Sequence, residues 1–328
     1  MTREVTNSPL MDNCLTDAEY CELPGFSRNK VRDTYQLPDR RRLLISTDRQ
    51  SAFDQVLAAV PYKGQVLTQL ARYWFDETGD ICPNHVISYP DPNVVMVKDL
   101  DMLPIELVVR SYLTGSTNTS PWPMYDRGER TLYGHEFPDG LKKNQKLPET
   151  IITQTTKPTY GAHDVPITEA ELLEAQLVTR EQWYEAAGIS LALFARGQEL
   201  AAKKGLILVD TKYEFGLDQS GAIVLADEIH TPDSSRFWIA ETYQERFEAG
   251  KEPDSLDKEF LRLWIASRCD PYHDPIPKIP TETLIEFSNR YVAVFERLTG
   301  SVFERSDSGV SVRARIRDAL ATELPEYF

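Results

Sequence analysis

The chain has 328 residues, a length typical of two domains, and its hydrophobic content of 41% is that of an ordinary globular protein. The formal net charge of −15 argues against binding to nucleic acid or to acidic membranes through bulk electrostatics. Small anionic ligands stay open, because a local cluster of lysine and arginine side chains can reverse the field inside a cleft.

The cysteines and the lack of long apolar segments indicate in which cellular compartment the protein works. The four cysteines have no CxxC spacing and suggest neither a zinc site nor a disulfide framework: Cys14, Cys21, Cys82 and Cys269. The first residues lack the apolar core of a signal peptide, and no apolar run approaches the length of a membrane span. We therefore expect a soluble, cytoplasmic protein in its reduced state, with no membrane partner.

The first part of the chain is predicted to be rich in β-structure. Residues before about Gly25 look like an extension or a short leading helix. Two segments, 30–37 and 42–47, flank the turn Pro-Asp-Arg-Arg and predict a β-hairpin. Helical spacing of apolar residues predicts a helix over 64–78. Further strands are predicted at 86–89, 94–97 and 105–113, before an irregular region up to Pro166 that is either functional or contains undetected strands.

The second part of the chain is predicted to be increasingly helical. Capping boxes predict two helix starts, at Thr168 with Glu171 and at Thr179 with Gln182, and the second helix should end at Gly205. Later helices are predicted over 256–268, 281–299 and about 310–322. An order of β-rich, then mixed, then helical segments indicates α+β lobes and not a doubly wound sheet.

The stretch 206–238 has the pattern of a second hairpin, with two apolar runs around a Gly/Asp/Ser turn. Period-two alternation places three charged residues on one face of its first strand: Asp210, Lys212 and Glu214. Asp227 and Glu228 end the returning strand. Clustered carboxylates suit Mg²⁺ that carries a phosphate-bearing substrate, but an edge hairpin with exposed charges has the same pattern.

Several common nucleotide and hydrolase motifs do not occur in the sequence. It has no GxxxxGK[ST], GxGxxG or GxSxG, and its five histidines never reach HExxH spacing. Polar clusters instead lie beside predicted strand ends, at 28–33, 46–54, 108–116, 153–157 and 231–236. A solvated strand end or a helix N-cap would explain each cluster alone. Together they offer cations for phosphate, carboxylates for a metal and hydroxyls for a polar ligand, which indicates phosphoryl chemistry.

Six motifs in order carry a specific resemblance: KVRDTY, LLISTDRQSAFD, LVVRSYLTGS, TTK, DTKYEFG and DEIHTPDSSRFW. They resemble the SAICAR synthetases, the phosphoribosylaminoimidazole-succinocarboxamide synthases of purine biosynthesis. The match is continuous from Gly25 to Trp238 and looser up to Gly300. The resemblance implies an ATP-dependent ligase that joins the carboxylate of carboxyaminoimidazole ribonucleotide (CAIR) to the amine of L-aspartate. It would use Mg²⁺ as cofactor and release ADP and phosphate.

The family's fold implies two α+β lobes around an ATP cleft, the smaller N-terminal lobe with an antiparallel sheet. On this basis we expect an N-terminal extension over 1–24, a β-rich lobe over 25–104 and a larger mixed α/β lobe over 105–328. The C-terminal helices of the larger lobe are expected from about 254.

The resemblance also assigns roles to individual residues. ATP contacts fall on Asn29, Lys30, Val31, Arg32, Val97, Lys98, Met102, Lys157, Glu214 and Asp227. The last two, Glu214 and Asp227, also match the metal positions. CAIR contacts fall on Arg110, Ser116, Asp210, Lys212, Asp233 and Arg236, with the arginines on the 5′-phosphate. We assign catalytic roles to Lys212, Asp210 and Lys157. An aspartate pocket at Asp48, Arg49 and Ser51 is a separate hypothesis.

Two positions depart from the family pattern. Asn29 stands where the family commonly has glycine before the lysine, and we expect it at positive φ, which asparagine tolerates best among the other residues. Ser111 stands where the family commonly has glycine after the arginine, which leaves the local backbone geometry open. The residues that the chemistry needs are all present, so we expect activity.

Two alternatives differ in function class. One is a kinase that stops at phosphoryl transfer and does not need an amine. The other is a non-catalytic nucleotide-binding protein or scaffold with the same fold, which loss of Lys30, Glu214, Asp227 or Arg236 would have favoured. The expected partners are therefore the small molecules ATP, CAIR and L-aspartate, with no nucleic acid, and the expected state is a monomer or a small homo-oligomer.

Overall fold

The computed structural model describes residues 9–53, 55–157, 165–305 and 309–328. Asp54, which belongs to the 46–54 cluster, and the first eight residues of the expected extension lie outside the described residues. The chain divides into two compact units. Unit 1 comprises Met1–Arg72, Val86–Asp99 and Trp264–Phe328, and unit 2 comprises Tyr73–His85 and Leu100–Leu263. None of the described helices is long and apolar enough to cross a membrane.

The helices of the described chain are α1 (Pro9–Asp12), α2 (Lys63–Glu77), α3 (Pro121–Asp126), α4 (Glu169–Glu174), α5 (Arg180–Lys203), α6 (Ala240–Glu248), α7 (Glu259–Ala266), α8 (Thr281–Thr299) and α9 (Val312–Glu323). The first strands are β1 (Phe26–Arg28), β2 (Arg32–Gln36), β3 (Arg41–Ser46), β4 (Arg49–Ala52), β5 (Gln55–Ala59), β6 (Val86–Asp91), β7 (Val94–Lys98) and β8 (Asp101–Met102). The later strands are β9 (Ile105–Leu113), β10 (Thr131–Leu132), β11 (His135–Glu136), β12 (Gln145–Thr156), β13 (Val165–Ile167), β14 (Leu206–Leu217), β15 (Ile223–Ala226) and β16 (Ser235–Ile239).

Unit 1 is built on an antiparallel sheet with the strand order β1-β2-β3-β7-β6. The predicted first hairpin is confirmed, because β2 and β3 pair with Tyr35 opposite Leu43. Both side chains are fully buried, and they belong to a core that two distant segments complete. The segment before β1 supplies Leu15, Ala18, Tyr20 and Leu23, and α9 with the residue after it supplies Ile316, Leu320 and Leu324. The leading segment is therefore part of the core of unit 1.

Unit 2 is built on a seven-stranded antiparallel sheet. Its path runs β13-β12-β9-β14-β15, and both β16 and β8 pair with β14. Strands β9 and β16 thus both pair with β14, one on each side. Helix α5 starts at a complete capping box, in which Thr179 and Gln182 bind each other's backbone N–H groups, and it packs against β14.

The predicted α+β class is confirmed: antiparallel sheets are combined with helices at the C-terminal end of the described chain. The irregular region before Pro166 contains α3 and the strands β10, β11, β12 and part of β13. The helix expected over 256–268 is shorter, because Ser255 forms a β-bridge with Trp238 before α7 begins.

The C-terminal helices differ from the expectation in their placement. We expected them with the larger lobe, whereas α8 and α9 belong to unit 1. Ile316 and Leu320 of α9 pack there on the apolar face of the antiparallel sheet. The lobe boundaries at 24/25 and 104/105 stay predictions.

Candidate active site

Three neighbouring strands of unit 2 bring one carboxylate and two guanidinium groups side by side. Asp210 on β14 lies opposite Arg110 of β9 on one side and opposite Arg236 of β16 on the other. Its Oδ2 accepts a hydrogen bond from Nη1 of Arg110 at 2.7 Å and another from Nη1 of Arg236. A buried charge is tolerated only when it is paired and hydrogen-bonded, and here each arginine has the shared carboxylate as its partner.

A second charged group lies further along the same face of β14. Lys212 donates to Glu106 of β9 at 2.8 Å and to Glu214, and Lys157 donates to the other oxygen of Glu214. Period-two alternation therefore places Asp210, Lys212 and Glu214 on one face, as predicted. Two ammonium groups and two carboxylates are thus concentrated beside the Arg110–Asp210–Arg236 row.

The contacts in this group keep both Lys212 and Glu214 in the charged form. Burial alone would lower the pKa of Lys212, but Glu214, Glu106 and Asp227 outweigh it and raise that pKa well above its ordinary value. Burial alone would raise the pKa of Glu214, but Lys212 and Lys157 outweigh it and hold that pKa far below its ordinary value. Lys212 is therefore a permanent cation near neutral pH and cannot serve there as a general base.

Two backbone features shape the loops around the arginine row. Gly115, after β9, has φ +112°, and a Cβ atom at this position would lie 2.3 Å from the side chain of Ser120 and 3.4 Å from Nη2 of Arg236. Glycine is required there because of the positive φ and because a Cβ atom would clash with Ser120. Asp227, after β15, has φ 61°, a conformation that aspartate tolerates better than most residues. Ser116 follows Gly115 and lies close to Glu259.

The arginine row and Lys212 open onto a pocket of about 200 Å³ in unit 2. Five of the six predicted CAIR contacts line it: Arg110, Asp210, Lys212, Asp233 and Arg236. The pocket is also lined by residues that carry hydroxyl groups: Thr117, Thr119, Ser120 and Tyr133. The lining holds five cationic side chains and four carboxylates. An anion that enters this pocket therefore meets cations, although the chain as a whole has a strong net negative charge.

Four charged residues of the pocket were missed from the sequence: Glu106, Asp257, Lys258 and Arg262. Glu106 had a usable signal, because it shares the face of β9 with Val108 and Arg110 at a spacing of two. Lys258 and Arg262 lie four residues apart at the start of α7, and such a pair in sequence looks like the solvated face of a helix.

Burial shifts the pKa values of the charged groups around α7. The pKa of Lys258 falls to about 8, first because the ammonium group is buried and second because Arg262 repels it. Burial raises the pKa of Asp257 to about 7, although its carboxylate accepts the N–H groups of Phe237 and Glu259. For Glu259, burial is outweighed by Arg236 and Arg262, and the pKa falls to about 2.

Unit 2 contains one more predicted ATP contact besides Lys157, Glu214 and Asp227, namely Met102. It forms β8 with Asp101 and pairs with Gly216 of β14. Among the described residues, no group of three or more His, Cys, Asp or Glu side chains is arranged to hold a metal ion.

The predicted ATP contacts of unit 1 lie in the turn between β1 and β2 and at the end of β7. Asn29, Lys30 and Val31 form the turn, and Arg32 begins β2. Val97 is buried and Lys98 is exposed at the end of β7. The expectation of positive φ at Asn29 is wrong: this residue is not among those with positive φ, and the turn closes through a hydrogen bond from its N–H to the carbonyl of Arg32, 3.0 Å long.

The other departure, Ser111, lies on β9 opposite an irregularity in β12, where the register shifts between Lys146 and Ile151. Its hydroxyl group exchanges a hydrogen bond of 2.7 Å with Thr150 and accepts one from Gln198 at 3.1 Å. Serine is thus accommodated by its polar neighbours, and the strand still presents Arg110 to Asp210.

The three residues of the hypothetical aspartate pocket lie in unit 1. Asp48 is buried and accepts the N–H groups of Leu15 and Gly64 at 2.7 and 2.9 Å. Burial raises its pKa to about 6. Arg49 donates to the carboxylate of Asp33 and to backbone carbonyl groups, and Ser51 is half-buried on β4. These contacts do not test the hypothesis, which stays a prediction.

Comparisons with known proteins place the chain in a family. The family model described as SAICAR synthetase matches residues 26–279. A protein of Legionella pneumophila (strain Paris) described as phosphoribosylaminoimidazole-succinocarboxamide synthase is 53% identical over 309 residues, which is 93% of this chain and 97% of that protein. A relative from Agrobacterium fabrum, with a provisional assignment to the same activity, is 57% identical over 95% of this chain and 98% of its own length.

Solved structures give the same result. A SAICAR synthase from Saccharomyces cerevisiae complexed with SAICAR has a TM-score of 0.76 and 32% sequence identity, covering 89% of this chain and 100% of that one. A SAICAR synthetase in complex with ADP has a TM-score of 0.66 and 27% identity, covering 85% and 100%. The chain therefore belongs to the SAICAR synthetase family, the ADP-forming ligases that join CAIR to aspartate in purine biosynthesis.

Proposed function

We propose that the pocket of unit 2 binds CAIR with its 5′-phosphate on the arginine row. The observation that supports this most directly is the alignment of Arg110 and Arg236 on either side of Asp210. Asp210 holds both guanidinium planes in place, and a guanidinium group binds phosphate through two parallel N–H donors. Lys212, Asp233 and Ser116 complete the proposed CAIR site, and their neighbours Thr117 and Ser120 supply further hydroxyl donors.

Our assignment of ATP contacts rests on the family motifs. In unit 1 we assign Asn29, Lys30, Val31, Arg32, Val97 and Lys98. In unit 2 we assign Met102, Lys157, Glu214 and Asp227. Lys157 is the cation best suited to a transferring phosphoryl group, because its hydrogen bond to Glu214 holds it in place.

We further propose Mg²⁺ as the cofactor, with Glu214 and Asp227 as its protein ligands. The donor chemistry fits, because Glu214 is ionised at any pH near neutrality and Mg²⁺ is usually bound by one or two carboxylates together with substrate phosphates. When bound, the ion would neutralise charge on the phosphates. Lys157 and Lys212 each donate a hydrogen bond to one oxygen of Glu214.

The chain's own groups can perform the rest of the reaction by positioning and charge. A carboxylate is a poor electrophile, so the γ-phosphoryl group of ATP must first be transferred to the CAIR carboxylate, with ADP as leaving group. The amine of aspartate then attacks the activated carbonyl carbon, phosphate departs with the bonding electrons, and the proton that the amine loses goes to the departing phosphate. Lys212 and Lys157 are fixed cations beside the place where this charge develops, so they stabilise it without reorganising.

We place the carboxylates of the aspartate substrate against Lys258 and Arg262. Both side chains line the pocket with Lys212, and both are cations that the CAIR phosphate does not need. The hypothesis for Asp48, Arg49 and Ser51 is the competing assignment. A variant at Lys258 separates the two.

In Lys258→Met, we expect the KM for aspartate to rise roughly tenfold or more, since a charge-assisted hydrogen bond is lost. The KM for CAIR should change little. The pKa of Lys258 is about 8, so the ammonium group loses its charge above that pH, and the wild-type KM for aspartate should rise from about pH 8 upward. The variant should lack this rise. Initial rates at several pH values check both effects.

Lys203→Met is the control, because Lys203 is an exposed lysine at the end of α5 that forms an ion pair with Glu199. Ser51→Ala tests the competing pocket. A raised aspartate KM in Ser51→Ala together with an unchanged one in Lys258→Met would move the aspartate site to unit 1.

The function as a whole is tested by ADP release from the purified protein with ATP and Mg²⁺. We expect rapid release only when CAIR and L-aspartate are both present, and succinate should not replace aspartate because it has no amine. Rapid release with CAIR alone would establish a kinase. Binding of ATP without stimulation by either substrate would establish a non-catalytic protein of this family.

We also propose that the protein works in the cytoplasm on these small molecules alone, as a monomer or a small homo-oligomer. The described cysteines are all free thiols, which fits a reducing compartment.

A further inference from the structure

Arg49 is a buried cation of unit 1 whose donors are all bound within the protein. Its side chain is only 8% exposed, and it lies at the start of β4. A guanidinium group has five N–H donors, and all five of them have an acceptor here. Nη2 donates to Oδ1 of Asp33 at 2.6 Å, and Nη1 donates to Oδ2 of the same carboxylate at 3.2 Å. The pair is therefore bidentate.

The other three donors bind backbone carbonyl groups. Nη2 donates to Asn29 at 2.7 Å, and Nε donates to Lys30 at 3.4 Å. Nη1 donates to Thr16 at 2.7 Å. One side chain thus ties the turn of residues 29–32 to the segment that precedes β1.

The carboxylate of Asp33 is fixed in the same way. It is fully buried, and its Oδ2 also accepts the N–H group of Ala18 at 2.9 Å. The partner of Arg49 is therefore held by the leading segment as well, whose Leu15 and Ala18 are core residues. The carbonyl groups of Asn29 and Lys30 are therefore bound by an arginine whose own partner, Asp33, is held by the leading segment.

We propose that Arg49 is a positioning residue that preorganises the 29–32 turn for the phosphates of ATP. It does so without contacting ATP, because no donor is left for a ligand. The inference rests on the proposed ATP contacts at Asn29, Lys30, Val31 and Arg32. It also gives the residues before β1, which no motif explained, a role: they form the rear support of this turn.

Lysine at position 49 cannot replace this geometry, since it has three donors on one atom and no planar fork. In Arg49→Lys we expect the KM for ATP to rise roughly tenfold, the effect of losing charge-assisted hydrogen bonds to the turn. The KM values for CAIR and aspartate should stay within about twofold, and so should kcat at saturating ATP. A merely structural role would lower stability without this selective change.

The matched control is Arg315→Lys. Arg315 also binds a buried carboxylate through two donors, to Asp91 at 2.8 and 3.0 Å, and it lies in the same unit with no hydrogen bond to the turn. Both variants should lose thermal stability, but only Arg49→Lys should raise the KM for ATP. An equal KM for ATP in both variants overturns the inference.

Lys30→Ala separates this inference from the proposed function. If Lys30→Ala raises the KM for ATP and Arg49→Lys does not, the ATP assignment stands and the positioning role is overturned. If Lys30→Ala leaves the KM for ATP unchanged, the ATP assignment fails and the inference fails with it.

Hydrogen exchange of the wild-type protein supplies a test that needs no variant. The N–H of Asn29 should be protected before ATP is added, because the turn is already closed onto Arg32 and held by Arg49. Fast exchange at 28–33 without ATP, followed by protection when ATP is added, would mean that the nucleotide orders the turn, and would overturn the inference.

Discussion

Replacing Glu214 with glutamine should lower kcat by roughly a hundred- to a thousandfold, the effect of removing one strong electrostatic contribution to a transition state. The carboxylate of Glu214 binds Lys157 through one oxygen and Lys212 through the other. Glutamine offers a single oxygen and no charge, so the two ammonium groups would repel each other and leave their positions. One proposed ligand of Mg²⁺ would be lost at the same time.

The measurement is the rate of ADP release at saturating ATP, CAIR and aspartate, repeated over a range of Mg²⁺ concentrations. Glu199→Gln serves as the control, because Glu199 is an exposed partner of Lys203 on α5. Circular dichroism and the melting temperature establish that the variant is folded. Activity within threefold of the wild type, with an unchanged Mg²⁺ dependence, would remove Glu214 from the catalytic group.

Replacing Arg236 with alanine should raise the dissociation constant of CAIR by roughly a hundredfold, since truncating one partner of a buried charge pair costs about 2–5 kcal/mol. The kcat at saturating CAIR should fall much less. Asp210 would keep Arg110 as a partner, so the row would lose one guanidinium group and not its carboxylate. Arg236→Lys should recover little, because lysine cannot offer two parallel donors to phosphate.

Binding of CAIR to the variant can be followed by calorimetry without ATP, which isolates the binding step. Arg246→Ala is the control: Arg246 pairs with Asp254 at 3.2 Å, in the same unit but outside the pocket lining. An unaltered affinity for CAIR in Arg236→Ala would place the phosphate elsewhere.

The sequence predicted the parts of this site that depend on local periodicity. The common face of Asp210, Lys212 and Glu214 follows from alternation along one strand, so it needs no knowledge of the neighbours. The side-by-side arrangement of Arg110, Asp210 and Arg236 was not predicted. It depends on the register of β9 and β16 against β14, and register is set by pairing between segments far apart in the chain.

The misplaced or missed features have similar causes. Lys258 and Arg262 were overlooked because burial cannot be inferred from two basic residues at helical spacing. Asn29 was expected at positive φ from the family's glycine, but its N–H donates to the carbonyl of Arg32 and its carbonyl accepts from Arg49, and no local pattern shows these contacts. The placement of α9 follows from apolar contacts with residues 15–23, about which the sequence of α9 itself says nothing.

The composition of the core in unit 1 constrains how this protein can be made. Leu15 and Leu23 must meet Leu320 and Leu324 to close that core, and almost the whole of the chain is translated between them. Because ribosomes add about 5–20 residues per second, the sheet of unit 1 waits with an open apolar face for a time on the order of tens of seconds. Unit 2 ends at Leu263 and can bury its own sheet earlier. The exposed face of the waiting sheet is thus apolar surface that a chaperone would protect during synthesis.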